Sequence, residues 1–94
     1  SSDPMKLVIT VVGVDRVGII AGVSNVLADN NVNILSINQT IMDGFFNMIM
    51  MCETPEDAKN TLDVVQGALN ELGENLGVEI RAQHADIFLS MHRI

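Results

Sequence analysis

The residues with the most chemical potential lie in one short stretch, Val11-Val12-Gly13-Val14-Asp15-Arg16-Val17-Gly18-Ile19-Ile20, where an acid and a base stand between two glycines. An apolar strand enters the stretch and a helical pattern leaves it. A strand that feeds directly into a helix start aims the first free backbone N–H groups, and the positive end of the helix dipole, at one spot. That is the chemistry of an anion site. No Gly-Lys-Ser/Thr closes the loop as in a nucleotide P-loop, and the Gly-x-Gly-x-x-Gly of dinucleotide sites is missing. Asp15 can bind an amine or cap the following helix. Gly18 allows close approach of a ligand or close packing of helix on strand, and Arg16 either clamps a carboxylate or stays solvated.

The other reactive side chains make no comparable group. Cys52 sits at a strand end before an acidic stretch with no nearby base to lower its pKa, which favours a structural thiol. His84, His92 and Asp86 form neither a metal-ligand spacing nor a catalytic triad. Met42, Met48, Met50 and Met51 are expected to fill the core, because a soft-metal site would add His or Cys at matching spacing. No metal and no cofactor is expected.

Composition narrows the function classes. Apolar residues make up 48% of 94 residues but aromatics only 3%, so the core must be aliphatic and methionine-rich. The net charge is −7, and Lys6, Arg16, Lys59, Arg81 and Arg93 are scattered. Nucleic-acid binding needs a basic stripe, which this chain lacks. A single cysteine, no signal-peptide pattern and no apolar run of spanning length point to a soluble cytoplasmic protein that does not engage membranes. Ser1-Ser2-Asp3-Pro4 reads as a cloning remnant ahead of Met5, so one domain is expected over 5–94.

The elements that must position the loop follow from periodicity. From Lys6 to Val14 a β-branched run puts Leu7, Ile9 and Val11 on one side and Val8, Thr10 and Val12 on the other. Ile19, Ile20, Val23, Val26 and Leu27 fall at helical spacing, and Asn30-Asn31 can stop that helix. Val32 to Met42 alternates, with Leu35, Ile37 and Ile41 opposite Ser36, Asn38 and Thr40. Asp43-Gly44 turns the chain into a third strand, Phe45 to Cys52, apolar on both faces. Thr54-Pro55-Glu56-Asp57 reads as a capped helix start. Ala58, Leu62, Val65, Leu69 and Leu72 form the stripe of that helix, and Gly73 can end it. Val78, Ile80 and Ala82 alternate with charged residues as a fourth strand, and Ala85 to Ile94 suggests a short helix with Ile87, Phe88 and Met91 on one side.

The order is βαββαβ, an α+β ferredoxin-like sandwich. Right-handed crossovers place both helices on one face of an antiparallel sheet, with strands one and three at its centre. Those central strands are apolar on both faces while two helices cover only one. A second subunit, or failing that the C-terminal segment, is expected on the bare face.

The run Ile9 to Ile20, followed by Val32-Asn33-Ile34 at the start of strand two, resembles the ACT domain, a small βαββαβ regulatory module. The likeness covers nearly the whole chain from Met5. The chain looks like the small prokaryotic proteins made of a single ACT domain, similar to the N-terminal part of the glycine cleavage system transcriptional repressor. The resemblance implies an amino acid or similar small ligand held between the first strand-to-helix loop of one chain and the start of strand two of its neighbour. Here those positions are Gly13, Asp15, Arg16, Val17, Gly18 and Ile19 in the loop and Asn33 and Ile34 in the strand. A carboxylate could rest on the N–H groups around Gly18 and Ile19, and an ammonium could pair with Asp15 or the Asn33 side-chain oxygen. Asn33 could equally satisfy its own turn.

The expectation is a non-enzymatic, ligand-responsive homodimer that acts through a regulated protein partner. The alternative is a protein-interaction module with no ligand. An enzyme would have to use Asp15 and His84, which nothing else in the sequence supports.

Overall fold

In the computed structural model, residues 4–14, 18–55 and 61–91 are described. The chain runs β1 (Lys6–Gly13), α1 (Ile19–Asp29), β2 (Asn33–Met42), β3 (Phe45–Glu53), α2 (Thr61–Leu76), β4 (Glu79–His84) and α3 (Ala85–Met91). The four strands form one antiparallel sheet in the order β2-β3-β1-β4, with β1 and β3 at the centre as the right-handed crossover rule requires. The fold is the ferredoxin-like βαββαβ sandwich that the patterning predicts.

Strand register sorts the side chains into two faces. Leu7, Ile9 and Val11 of β1, Phe46, Met48, Met50 and Cys52 of β3, and Ile80 and Ala82 of β4 lie on the side that the helices cover. Against them pack Ile19, Val23 and Leu27 of α1 and Val65 and Leu69 of α2, making one aliphatic, methionine-containing core. Asn31, at φ 58, ends α1, and both Asp43 and Gly44 have positive φ in the β2–β3 turn, as that tight hairpin needs.

Several details differ from the expectations. The register shifts between Ile34 and Ser36, so Leu35 is an extra residue and does not share a regular face with Ile37 and Ile41. Helix α2 does not stop at Gly73. It runs to Leu76, and Gly77, at φ 72, sits just beyond its end. Gly73 is buried inside the helix, where a Cβ would lie 2.7 Å from the Val78 carbonyl oxygen. The Thr54 hydroxyl accepts a hydrogen bond from the Met5 N–H at 2.8 Å, and the Thr54 N–H returns one to the Met5 carbonyl. The helix start expected there, with Ala58, involves residues 56–60, outside the described residues. Met42 is exposed rather than in the core, and Met51 is half-buried on the other face.

The C-terminal segment covers part of the face that the sequence left bare. Helix α3 turns back after β4 and packs on β1 and β4. Val8, on that face, is only 1% exposed. Ile87 is exposed, so it does not join Phe88 in facing the sheet. On the same face Val12, Phe45 and Ile49 remain exposed.

Candidate functional site

The loop half of the site begins where β1 ends. Gly13 pairs with Phe46, and a Cβ built on it would stand 2.3 Å from Val78 Cγ1. The absence of a side chain at Gly13 is therefore required by packing against the start of β4. Asp15, Arg16 and Val17 lie outside the described residues. The N-cap of α1 is Gly18 rather than Asp15; it is left-handed, at φ 80 and ψ −10, and gives α1 no side-chain cap hydrogen bond. A left-handed N-cap suits glycine because no Cβ meets its own backbone.

Helix hydrogen bonding starts with the Gly22 N–H donating to the Gly18 carbonyl at 2.9 Å. The N–H groups of Ile19, Ile20 and Ala21 precede that bond, and no acidic residue stands in the first turn to offset the dipole. This first turn can accept a carboxylate. The Ile19 side chain is fully buried in the core, so only its backbone belongs to such a site. Ile20 is partly exposed beside it.

The strand half is elsewhere. Asn33 is exposed and pairs with Glu53, which pairs in turn with Lys6 at the start of β1. Ile34 packs partly against the core. The loop leaves the opposite end of the sheet, where Gly13, Phe46 and Ile41 lie in one row. About seven residues of strand, roughly 23 Å, separate the two halves. Within one chain the structure does not bring Gly13, Gly18 and Ile19 together with Asn33 and Ile34.

The two sheet edges are not alike. On β4 the Ala82 N–H donates to Gln66 Oε1 of α2 at 2.8 Å, so a side chain occupies that edge. On β2 the outer edge runs for ten residues, Asn-Ile-Leu-Ser-Ile-Asn-Gln-Thr-Ile-Met, with no charge and no proline. Isolated sheet edges are usually blunted by such residues. Sequence reasoning identified β2 as a strand but did not distinguish these edges, because the Gln66 contact joins distant parts of the chain.

Among the described residues the remaining titratable groups do not assemble a reaction centre. His84 lines a recess of about 500 Å³ with Lys6, Glu53 and Asp86 between the chain start and α3. Cys52 is fully buried, and burial pushes its thiol up to about 11. Among the described residues no cluster of His, Cys, Asp and Glu could hold a metal ion, and no helix is long and apolar enough to cross a membrane.

Known proteins share this arrangement. A UPF0237 protein of Methanocaldococcus jannaschii is 51% identical over 89 residues, which cover 95% of this chain and 98% of that protein. An ACT domain protein from Streptococcus pneumoniae superposes with a TM-score of 0.76 at 38% identity, covering 92% of this chain and 96% of that one. A protein described as a glycine cleavage system transcriptional repressor shares the fold, with a TM-score of 0.75 at 24% identity over 89% of this chain and 47% of its own. The ACT domain family model matches residues 5–83, from the residue before β1 to the penultimate residue of β4. With the strand order, the glycine-bounded loop and the α1 start all within that match, the chain belongs to the ACT-domain family.

Proposed function

We propose that the protein is a non-enzymatic regulatory sensor, a single ACT domain over residues 5–94. It acts as a homodimer that binds a small ligand of the amino acid class and passes the result to a protein partner. One observation supports the reading: the loop end of β1 and the start of β2 lie at opposite ends of one sheet, and the outer edge of β2 is paired with no strand of the chain and carries no charge. Antiparallel pairing of β2 with β2 of a second copy brings Asn33 of that copy to the end where the first chain's loop emerges. Each dimer then holds two composite sites. A chain of net charge −7 can approach its copy along β2 because that strand carries no charge. The ligand's carboxylate meets the N–H groups at the α1 start, and its ammonium is held by Asp15 together with Asn33 of the neighbour.

Regulation requires that the ligand favour one assembly or conformation over another. A site shared by two chains meets that condition, since ligand binds only the paired form. The test is a thermal-shift panel of the twenty amino acids on the purified chain. A ligand at a hundred times its dissociation constant adds about 2.7 kcal/mol and raises the midpoint by several degrees in a domain of this size. A selective shift supports the sensor reading. No shift from any amino acid refutes it and leaves the ligand-free interaction module, which the exposed Val12, Phe45 and Ile49 on the open face favour as a docking surface.

A further inference from the structure

We propose that the open face of the sheet carries a second ligand site, a cleft between β1, β3, β4 and α3 that takes a small monocarboxylate with an apolar tail. The site is separate from the β1–α1 loop. It rests on how four elements converge.

Thr10 sits at the centre of the open face, paired with Ile49 of β3 on one side and Arg81 of β4 on the other. One step along, Val12 pairs with Asn47, and one step back Gln83 pairs with Val8. Helix α3 returns across this face and sets Phe88 against the same cavity, about 310 Å³ in volume. That is the size of a small-molecule pocket at the lower end of the usual range.

The lining specifies the ligand's chemistry. Val12 and Ile49 are 43% and 41% exposed, so the cleft holds apolar surface still open to water. With Phe88 they offer a bed for a hydrocarbon tail. Thr10, Asn47 and Gln83 bring hydrogen-bonding groups to the same cavity, a few polar groups on an apolar ground. Arg81 is the cation among the lining residues. It pairs with Glu79 through Nε at 3.2 Å, with the two side chains 67% and 65% exposed. So exposed a pair is weak and engages one side of the guanidinium, whose fork is shaped for a carboxylate.

One arginine in a chain of net charge −7 suits a single negative charge. A polyphosphate would meet repulsion with no second cation among the described residues that line the cleft. The ligand is therefore an amphipathic monoanion, its carboxylate on Arg81 and its tail on Val12, Ile49 and Phe88.

The test titrates hexanoate into the full chain and follows the Asn47 side-chain amide and the Ile49 methyls by NMR, with hexan-1-ol as the uncharged control. Saturable shifts at both residues are expected, with the Gly18 and Asn33 amides unmoved. Hexan-1-ol should bind about tenfold more weakly, and Arg81→Gln should weaken hexanoate by a similar factor, the worth of one charge-assisted contact. Arg81 is exposed, so that variant keeps the fold. Val12→Phe should fill the cavity and remove binding. The proposal is overturned if no saturable shift develops, if hexanol binds as well as hexanoate, or if either variant binds as the wild type does. It is also overturned if the same resonances move on dilution alone, which would mean that a second copy covers the face.

Discussion

Replacing Gly13 by Ala separates two roles for the glycine that opens the loop. The new Cβ would stand 2.3 Å from Val78 Cγ1 and 2.9 Å from Val78 Cβ. Carbon atoms rest at about 3.5–4.0 Å, so β4 and the end of β1 must part by about 1 Å or more. Forced overpacking of this kind costs about 1–3 kcal/mol, and the lower chain entropy of alanine returns about 0.5–1 kcal/mol. At the middle of these ranges the net loss is about 1 kcal/mol, which lowers the melting midpoint by roughly 4–8 °C in a domain of this length. Thermal melting of Gly13→Ala, Val78→Ala and the double variant at one protein concentration measures it. Val78→Ala removes the Cγ1 contact but leaves Cβ at 2.9 Å, so adding Gly13→Ala to Val78→Ala should cost less than Gly13→Ala costs the wild type, a coupling of about 0.5 kcal/mol or more. Wild-type melting for Gly13→Ala, or losses that simply add, would refute the packing argument. If Gly13→Ala also lost ligand binding while melting as the wild type does, its role would be ligand approach instead.

Other perturbations test separate parts of the structure. Thr54→Val removes the hydroxyl that accepts the Met5 N–H, and should cost about 1–3 kcal/mol by leaving that donor unpaired in a part-buried site, read as a lower denaturation midpoint. Cys52 gives a pH dependence. The folded thiol titrates at about 11 and the unfolded one at its ordinary 9.0, so between those values the unfolded chain loses its proton first. The resulting stability is complete below pH 9 and falls as pH rises towards 11, by about 2–3 kcal/mol. Chemical denaturation of wild type and Cys52→Ala from pH 8 to 11 should show the extra slope in the wild type only. Asn38→Lys places two cations opposite each other near the two-fold axis of a paired β2 edge. At about 5 Å their repulsion is about 1–3 kcal/mol, and sedimentation should show a shift from dimer to monomer that high salt partly reverses.

Much of the fold was legible because period and turn chemistry agree. The alternation of β1 and β3 assigns each residue to the face it occupies, and Asp43-Gly44 and Asn31 adopt the backbone conformations their types favour. What escaped depends on contacts between distant segments. Gly73 reads locally as a helix stop, yet it serves close approach of the Val78 carbonyl while Gly77 stands at the end. The bulge at Leu35 has no glycine or proline to announce it. The course of α3 over the open face is set by packing on β1 and β4, which the short amphipathic pattern alone does not specify.

The placement of the candidate site's residues was legible in part for the same reason. Gly18 and the α1 start are where the strand-to-helix pattern puts them, but Ile19 proves to be a core residue whose side chain faces the sheet. Antiparallel topology also implies that Asn33 and the loop sit at opposite ends of one chain, a consequence visible only once the sheet order is drawn. Thr10, Asn47, Arg81 and Gln83 share a face by their spacing alone, so the open-face cleft could have been sought in the sequence. Phe88 joins them only through the path of α3.

In the proposed dimer each ligand site is built from the loop of one chain and the β2 start of another. The most direct measurement mixes Asp15→Ala chains with Asn33→Ala chains and counts, by calorimetry, the binding sites for the amino acid that stabilises the wild type. Each variant alone should bind none. In a random mixture half of the dimers are mixed, and each of these recovers one intact site, so roughly a quarter of the wild-type number should return. No recovery on mixing, with both variants dimeric and exchanging chains, would place the site within one chain and contradict the account.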